Sequence, residues 1–291
     1  MHESRRDFLR LAARTCLIAA LGGRGVRALA AGPSGSRPFE FVPPNMLVMP
    51  MPHNTVPALN PDLVQRIKSI SNVFEVGGTE PDYAYVENLG DGRGYTVTQY
   101  GFCTYNNEVA QVIDRYAKLV PDTELKRFLP ELPPQSDGRS RLAGFAAAWR
   151  EEVQRSGQLG VACDEEADEL YFLPAMKAAA AAGVSSPIGQ AIFYDTWLQH
   201  GGNGDPDSLP AIVKRTTAKT GGIGATSEAE FLRAFLAIRK EVLRDPSNRE
   251  TRVAWRASAS RVDALLHLLD SNPGLVPPIK VASADVDVVV L

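Results

Sequence analysis

The stretch from Tyr83 to Thr96, YAYVENLGDGRGYT, decides how the rest of the sequence is interpreted. Along residues 83–89, tyrosine, glutamate and leucine side chains alternate with alanine, valine and asparagine, and this period of two is typical of a β-strand. Residues 90–94, GDGRG, predict a turn, and the β-prone run from Tyr95 to Thr98 predicts a returning strand. The stretch therefore predicts a small hairpin or sheet.

A helix is predicted immediately before this hairpin. Asn60 is a favourable N-cap, Pro61 suits the first helical turn, and glycines at positions 77 and 78 end the segment. Four apolar residues between these limits recur at helical spacing, so the helix should pack one face on a core. They are Leu63, Ile67, Ile70 and Phe74.

Beyond the hairpin the sequence has mainly helical periodicity. Its tail alternates Ala284, Val286 and Val288 with aspartates, which fits either a strand or a loose end. We therefore expect an α+β fold that is mainly α, with one small sheet near its N-terminal part. The predicted helical segments are one that opens at Asn107, then roughly 141–155, 163–182, 186–200, 206–217, 227–244 and 252–270.

The first thirty residues have the parts of an export signal in the right order. Residues 4–9, SRRDFL, resemble a twin-arginine motif, an apolar run follows at 17–21, and Ala28-Leu29-Ala30 resembles a cleavage site. An ordinary N-terminal helix is the alternative. We expect residues 1–30 to be removed, residues 31–58 to form a proline-rich extended lead-in, and residues 59–291 to form the folded domain.

The charge of the chain limits its partners. The formal net charge of −3 becomes −7 once residues 1–30, with six arginines and two acidic residues, are removed. Nucleic-acid binding requires a basic face, so no nucleic-acid partner is expected. No stretch after residue 30 has about 18 consecutive apolar residues, so no membrane span is expected. The acidic field favours a neutral or cationic partner, although a merely soluble acidic surface fits the charge as well.

Cysteines and histidines are few. After loss of the signal, Cys103 and Cys163 remain, and they would be either a disulfide, which an exported protein permits, or two buried thiols. The four histidines have no metal-ligand spacing between them, so no metal site is expected.

Two acidic residues stand where they could act as an acid and a base. Glu75 lies in the last turn of the first helix, at the edge of its apolar face, where the helix dipole disfavours an ionised carboxylate. Asp91 lies in the glycine-rich turn, with backbone N–H groups and Arg93 nearby, so its ionised form is favoured. Two carboxyl groups with such different surroundings suit glycoside hydrolysis, which requires no cofactor. A solvated helix-end glutamate and a plain Gly-Asp-Gly turn are the alternatives.

Glu75 together with residues 83–96 and Gly101-Phe102 resembles the signature of glycoside hydrolase family 46 chitosanases. Weaker similarity at 193–195, 200–201, 235–240 and 260–263 extends over most of the chain after residue 30. The resemblance implies a lysozyme-like, two-lobed catalytic domain with a substrate cleft between the lobes. It also implies endo-acting, inverting hydrolysis of β-1,4 linkages in chitosan or glucosamine oligosaccharides. From the export signal we expect the enzyme to be secreted, outside the cell or in the periplasm, and we also expect it to be monomeric.

The resemblance also assigns roles to individual residues. Glu75 would be the general acid and Asp91 the general base, while Thr96 and Arg93 would help to hold the attacking water or the substrate. Asp195, Arg239 and Arg261 would form a charge network behind the catalytic acid, a role compatible with that of ordinary structural ion pairs.

One position departs from the pattern of the family. Glu108 stands where the family commonly has an aspartate that binds a substrate ammonium, so it keeps the charge on a longer side chain. His200 is expected to orient other groups or to fill the core rather than to donate a proton.

Two alternative functions stay open at this stage. A related lysozyme-like hydrolase of another aminosugar polymer, such as a muramidase, would share the acid-bearing helix and the following sheet. A non-catalytic exported sugar-binding protein also fits the composition, but it would not require Glu75, Asp91 and Thr96 together.

Overall fold

The computed structural model describes residues 59–88, 94–105, 107–132, 142–248 and 252–291. The predicted signal at 1–30, the lead-in at 31–58, and both Asp91 and Arg93 lie outside these ranges. The described helices are α1 (Pro61–Val76), α2 (Glu108–Leu119), α3 (Phe145–Arg155), α4 (Gln158–Ala167), α5 (Leu173–Ala181), α6 (Pro187–His200), α7 (Leu209–Thr220), α8 (Glu228–Arg244), α9 (Arg252–Ala257) and α10 (Ser260–Ser271). A 3₁₀ helix (Glu124–Glu131) and a π-helical turn (Asp168–Phe172) accompany them, and the strands are β1 (Val86–Asn88), β2 (Tyr95–Val97), β3 (Phe102–Cys103), β4 (Ile279–Ala282) and β5 (Asp287–Val290).

Helix α1 begins and ends where the sequence predicts. The Asn60 side chain accepts a hydrogen bond of 2.8 Å from the Asp62 backbone N–H, and Pro61 occupies the first turn. At the other end Gly77 adopts a left-handed conformation with φ of 72°, and its N–H bonds to the carbonyl of Val73. These two caps fix the position of Glu75 in the last turn of the helix.

The sheet that follows is antiparallel, in the order β1-β2-β3. Val86 pairs with Val97, and Thr96 pairs with both Glu87 and Cys103. Both predicted strands are present but shorter than predicted: β1 begins at Val86 because residues 83–84 form a turn, and β2 ends at Val97. The short strand β3 extends the hairpin.

The described residues form two lobes, each with its own apolar core. The sheet lobe contains β1–β3, the 3₁₀ helix and α2–α4, with Phe102, Ile113 and Trp149 at its centre. The helical lobe contains α1, α5–α10 and the β4–β5 hairpin. Tyr171, in the π-helical turn that joins α4 to α5, packs against both cores. The mainly helical α+β fold class is thus confirmed.

Two sequence predictions need correction. The segment predicted at 163–182 begins earlier, at Gln158, and contains the π-helical turn, while the segment predicted at 252–270 is interrupted at residues 258–259. The tail is a strand rather than a loose end, and it pairs with β4 to form a second small sheet. This second sheet is stable because Ile279, Val281 and Val290 are buried against the helical-lobe core.

Cys103 and Cys163 are two buried thiols in the structure. Of the two alternatives for this pair, the disulfide is therefore wrong. Cys103 lies on β3, and Cys163 lies on α4 within the sheet-lobe core. Burial raises the pKa of the Cys163 thiol well above its ordinary value, so little of the reactive thiolate is present.

Candidate active site

Glu75 is more deeply enclosed than its predicted position at the edge of a helix face implies, since only 2% of its surface is exposed. Arg261, from α10, donates a hydrogen bond of 2.9 Å from Nη2 to Glu75 Oε1. The guanidinium group of Arg261 also lies over the Phe74 ring, 5.2 Å from its centre. The extra burial therefore comes from α10, which the sequence pattern of α1 does not reveal.

The three residues predicted to form a charge network lie together behind Glu75. Asp195 on α6 has Arg239 Nη2 at 2.7 Å from Oδ2 and Arg261 Nη1 at 3.6 Å from Oδ1. Asp195 and Arg239 have no exposed side-chain surface, and that of Arg261 is 5% exposed. The order Glu75, Arg261, Asp195, Arg239 alternates negative and positive charges, so every buried charge has an opposite partner.

The network continues to residues that the sequence did not single out. Arg239 donates a hydrogen bond of 2.6 Å to Gln199 Oε1, and its Nε donates to His200 Nε2 at 3.3 Å. His200 has no exposed surface, as expected for a core or orienting histidine. Burial, together with the positive charge of Arg239, holds the pKa of the His200 imidazole well below its ordinary value.

On the sheet lobe, Thr96 lies on β2 and is buried. Its strand partners are Glu87 and Cys103, and the neighbouring Tyr95 N–H donates to Thr104 Oγ1 at 3.0 Å. Asp91 and Arg93 lie outside the described residues, so the geometry of the site is given for Glu75 and Thr96 without them. The roles of Thr96, Asp91 and Arg93 stay predictions.

Glu108, at the first turn of α2, has partners inside the protein. The backbone N–H of Cys103 donates to Glu108 Oε2 at 3.1 Å, and Tyr171 Oη donates to Oε1 at 3.4 Å. The residue is 8% exposed. Its carboxylate thus connects β3, α2 and the π-helical turn, and its binding of a substrate ammonium stays a prediction.

The described part of the chain contains no group of three or more histidine, cysteine, aspartate or glutamate residues placed to hold a metal ion. In the same residues, no helix has both the length and the apolar composition to cross a membrane.

The sequence of this chain is similar to those of known glycosyl hydrolases. The model of glycosyl hydrolase family 46 matches residues 69–279. A chitosanase of Bacillus subtilis (strain 168) is 41% identical over 232 residues, which cover 77% of this chain and 83% of that protein. A chitosanase of Nocardioides sp. (strain N106) is 34% identical over 206 residues, covering 68% of this chain and 70% of that protein.

Solved structures agree with these relatives. The native chitosanase from Bacillus subtilis MY002 is 40% identical and covers 80% of this chain and 100% of its own, with a TM-score of 0.73. A Gynuella sunshinyii family 46 chitosanase, solved in complex with chitotetraose, is 38% identical and covers 80% of this chain and 99% of its own, with a TM-score of 0.72. The match confirms the expected fold and includes both lobes, and the chain belongs to glycosyl hydrolase family 46.

Proposed function

We propose that this protein is an endo-acting chitosanase, which hydrolyses β-1,4 linkages between glucosamine units with inversion at the anomeric carbon. Family membership supports the proposal, as do the chitosanases among the similar proteins and the chitotetraose bound to one similar structure. The observation that carries it is the Glu75 carboxylate, which is buried at the end of α1 and held by Arg261. Neither the muramidase alternative nor the non-catalytic alternative has an observation that favours it.

Glu75 is the general acid in this proposal. A general acid has to donate its proton to the leaving glycosidic oxygen from a fixed direction. The cap at Gly77 fixes the helix end, and the hydrogen bond from Arg261 to Oε1 fixes the carboxyl group on it. The protein therefore orients Glu75 before substrate binds, which reduces the entropy cost of the reaction.

Asp91 is the general base, and its support is its sequence context. It stands between Asn88 and Tyr95, which are paired in the sheet. As the base of an inverting enzyme, it would activate water on the face of the sugar opposite Glu75, with the carboxyl groups about 6.5–9.5 Å apart. Thr96 and Arg93 would hold that water or the sugar.

The preference for glucosamine follows from charge. Each glucosamine unit carries an ammonium group near and below neutral pH, whereas an acetylated unit does not, so an acidic protein attracts the former. We propose that Glu108 contributes to this attraction from the first turn of α2. Activity is then expected to fall as acetylation of the substrate rises and as salt is added.

We also propose that the protein is exported. The twin-arginine-like residues 4–9 and the small-residue site at 28–30 support this, with residues 31–58 as a lead-in to the catalytic domain at 59–291. A polymeric substrate is consistent with an enzyme that acts outside the cell or in the periplasm.

The test of the acid is Glu75→Gln, assayed for reducing ends released from soluble chitosan. This change removes the donated proton and little volume, so we expect turnover to fall by at least ~10²–10⁴-fold, the usual contribution of general acid catalysis. Glu80→Gln is the matched control, because Glu80 is an exposed glutamate five residues further along the chain. It should retain wild-type activity.

Two outcomes would count against this mechanism. If Glu75→Gln kept more than about a tenth of wild-type activity, general acid catalysis by Glu75 would be excluded. If proton NMR of the first-formed products detected the β-anomer instead of the α-anomer, inversion would be wrong. Faster release of ends from bacterial cell walls than from chitosan would favour a muramidase.

A further inference from the structure

Arg239, in the middle of α8, is fully buried and is contacted by three side chains from the C-terminal end of α6. Its Nη2 lies 2.7 Å from Asp195 Oδ2 and 2.6 Å from Gln199 Oε1, and its Nε lies 3.3 Å from His200 Nε2. Asp195 and Gln199 are four residues apart and share one helix face, and His200 is the last residue of the helix. One helix end therefore surrounds this guanidinium group.

The partners of His200 determine its protonation. Arg239 Nε can only donate, so the Nε2 atom facing it has to be the unprotonated nitrogen. Nδ1 lies 2.8 Å from the carbonyl oxygen of Asp207, which can only accept, so Nδ1 carries the hydrogen. The ring is thus a neutral imidazole that accepts on one side and donates on the other.

Both neutral partners of Arg239 are anchored to other parts of the helical lobe. The Asp207 carboxylate accepts hydrogen bonds of 2.7 Å from both the backbone N–H and the hydroxyl of Ser247, just after α8. Gln199 Nε2 donates to Ser258 Oγ at 2.7 Å, between α9 and α10. His200 and Gln199 are therefore held in place independently of the arginine that they contact.

Neutral acceptors matter here because the charges of the network already balance. Glu75 and Asp195 are paired with Arg239 and Arg261, and Asp195 is shared between the two arginines, at 2.7 Å from one and 3.6 Å from the other. Arg239 Nη1 already has no hydrogen-bond partner among the described residues, and without the neutral acceptors the Nε–H group and one Nη2–H group would also be unpaired, beside Asp195 as the nearest anion. Arg239 would then pair through two N–H groups, the geometry that arginine and carboxylate favour, and would draw Asp195 away from Arg261.

We propose that His200 is a positioning residue for the reaction, with Gln199 as its partner. As a neutral acceptor, His200 holds Arg239 so that Asp195 stays shared with Arg261, and Arg261 therefore stays divided between Asp195 and Glu75. This inference rests on the proposed role of Glu75 as the general acid.

The experiment compares His200→Phe with His200→Gln on soluble chitosan, well below the melting temperature of each variant. Phenylalanine keeps a ring but has no acceptor, and we expect it to lower kcat by about 10- to 100-fold with little change in KM, as displacement of a reacting group by ~1 Å does. The basic limb of the pH profile of kcat/KM should move to lower pH, because Arg261, no longer shared with Asp195, would stabilise ionised Glu75 more strongly. Glutamine offers Arg239 a neutral oxygen acceptor, so in His200→Gln both kcat and the position of the basic limb should be close to those of the wild type.

Two further variants separate positioning from general stability. Gln199→Met removes the other neutral acceptor, so it should move kcat and the basic limb in the same direction, and it tests the proposal even if His200→Phe does not fold. Tyr116→Phe destabilises the sheet lobe by removing a donor from the buried Glu152, and it should leave kcat and the pH profile unchanged.

Wild-type kcat and an unmoved basic limb in both His200→Phe and Gln199→Met would overturn the inference. It would also be overturned if His200→Gln were as impaired as His200→Phe. A different result would contradict the proposed function, namely that Glu75→Gln itself retains activity. An inactive Glu75→Gln beside a fully active His200→Phe would reject only the role of His200.

Discussion

Both lobes bury a carboxylate, but they neutralise it in different ways. In the helical lobe, Glu75 and Asp195 face the guanidinium groups of Arg239 and Arg261. In the sheet lobe, Glu152 accepts hydrogen bonds from Tyr116 Oη at 2.7 Å and from the Glu124 backbone N–H at 3.0 Å. Glu152 therefore relies chiefly on neutral donors, whereas Glu75 and Asp195 rely on buried opposite charges.

The neutral donors are sufficient to keep Glu152 ionised. Burial disfavours its charge, yet the hydrogen bonds from Tyr116 and the Glu124 backbone hold the pKa of this carboxyl below its ordinary value. Arg155 contributes only from the surface, since its side chain is 45% exposed. In the described part of the chain, arginines buried to 5% exposure or less, Arg239 and Arg261, occur only behind Glu75.

The buried arginines therefore have a role other than stabilising the fold. Burying an ion pair costs about as much desolvation as its attraction returns, so it adds little net stability. Hydrogen bonds from neutral donors, with one exposed arginine, are enough to stabilise Glu152. The more costly arrangement is found where a carboxyl group is proposed to need a fixed direction, so we interpret it as a device for orientation.

The largest effect should come from removing a buried arginine. Arg261→Met removes the cation that contacts both Glu75 and Asp195, and loss of one partner of a buried pair costs about 3–5 kcal/mol. Arg155→Met is the matched control: Arg155 also contacts two carboxylates, but its own side chain is exposed, so its loss should cost much less. Urea unfolding of the two variants measures both values.

A double variant measures how much of this loss is due to one carboxylate. Adding Glu75→Gln to Arg261→Met removes one of the two carboxylates that Arg261 contacts, so part of the lost stability should return. Equal destabilisation by Arg261→Met and Arg155→Met would show that the two lobes do not differ in the way described.

Tyr116→Phe should have an intermediate effect, limited to stability. It removes the phenol that donates to the buried Glu152, and a buried polar group that loses a partner costs about 1–3 kcal/mol. Burial and Glu152 raise the pKa of Tyr116 to about 12, so the phenol is a donor throughout the neutral range. Unfolding and kcat should be measured on the same preparation; a fall in kcat would mean that the sheet-lobe carboxylate also supports catalysis.

The sequence predicts those parts of the fold that have local causes. Two features depend only on residues close in the chain: the caps of α1 at Asn60 and Gly77, and the alternation before the GDGRG segment. The structure has both caps, and it has paired strands on either side of that segment. The π-helical turn at 168–172 was missed because a single extra residue barely changes helical periodicity over the segment that begins at Gln158.

The candidate site shows the same limit. The resemblance supplied Glu75, Asp195, Arg239 and Arg261, and the structure brings these four together. Gln199 has no chemical feature that distinguishes it in the sequence, and its role depends on α6 packing against α8. The burial of Glu75 likewise depends on α10, which is about 186 residues further along the chain.

The smallest predicted effect concerns the dependence of stability on pH. The pKa of His200 in the folded protein is far below its ordinary value of 6.5, because the ring is buried and faces the cations Arg239 and Arg261. Below pH 6.5 the unfolded chain therefore takes up a proton that the native protein does not, and the free energy of unfolding falls as the pH falls. The slope for one such group approaches about 1.4 kcal/mol per pH unit.

His200→Gln removes this titration while keeping a neutral acceptor for Arg239, so its stability should decline less steeply between pH 6.5 and pH 5 than that of the wild type. The difference in free energy of unfolding between the wild type and His200→Gln should change by about 1–2 kcal/mol across this window, in favour of the variant. It should be constant above pH 7, where residue 200 of the wild type is neutral in both the folded and the unfolded state. His267→Gln, at an exposed position on α10, is the control and should keep the steep decline. Parallel curves for wild type and His200→Gln would mean that His200 becomes protonated without loss of the native state, which is incompatible with its contact to the Arg239 guanidinium.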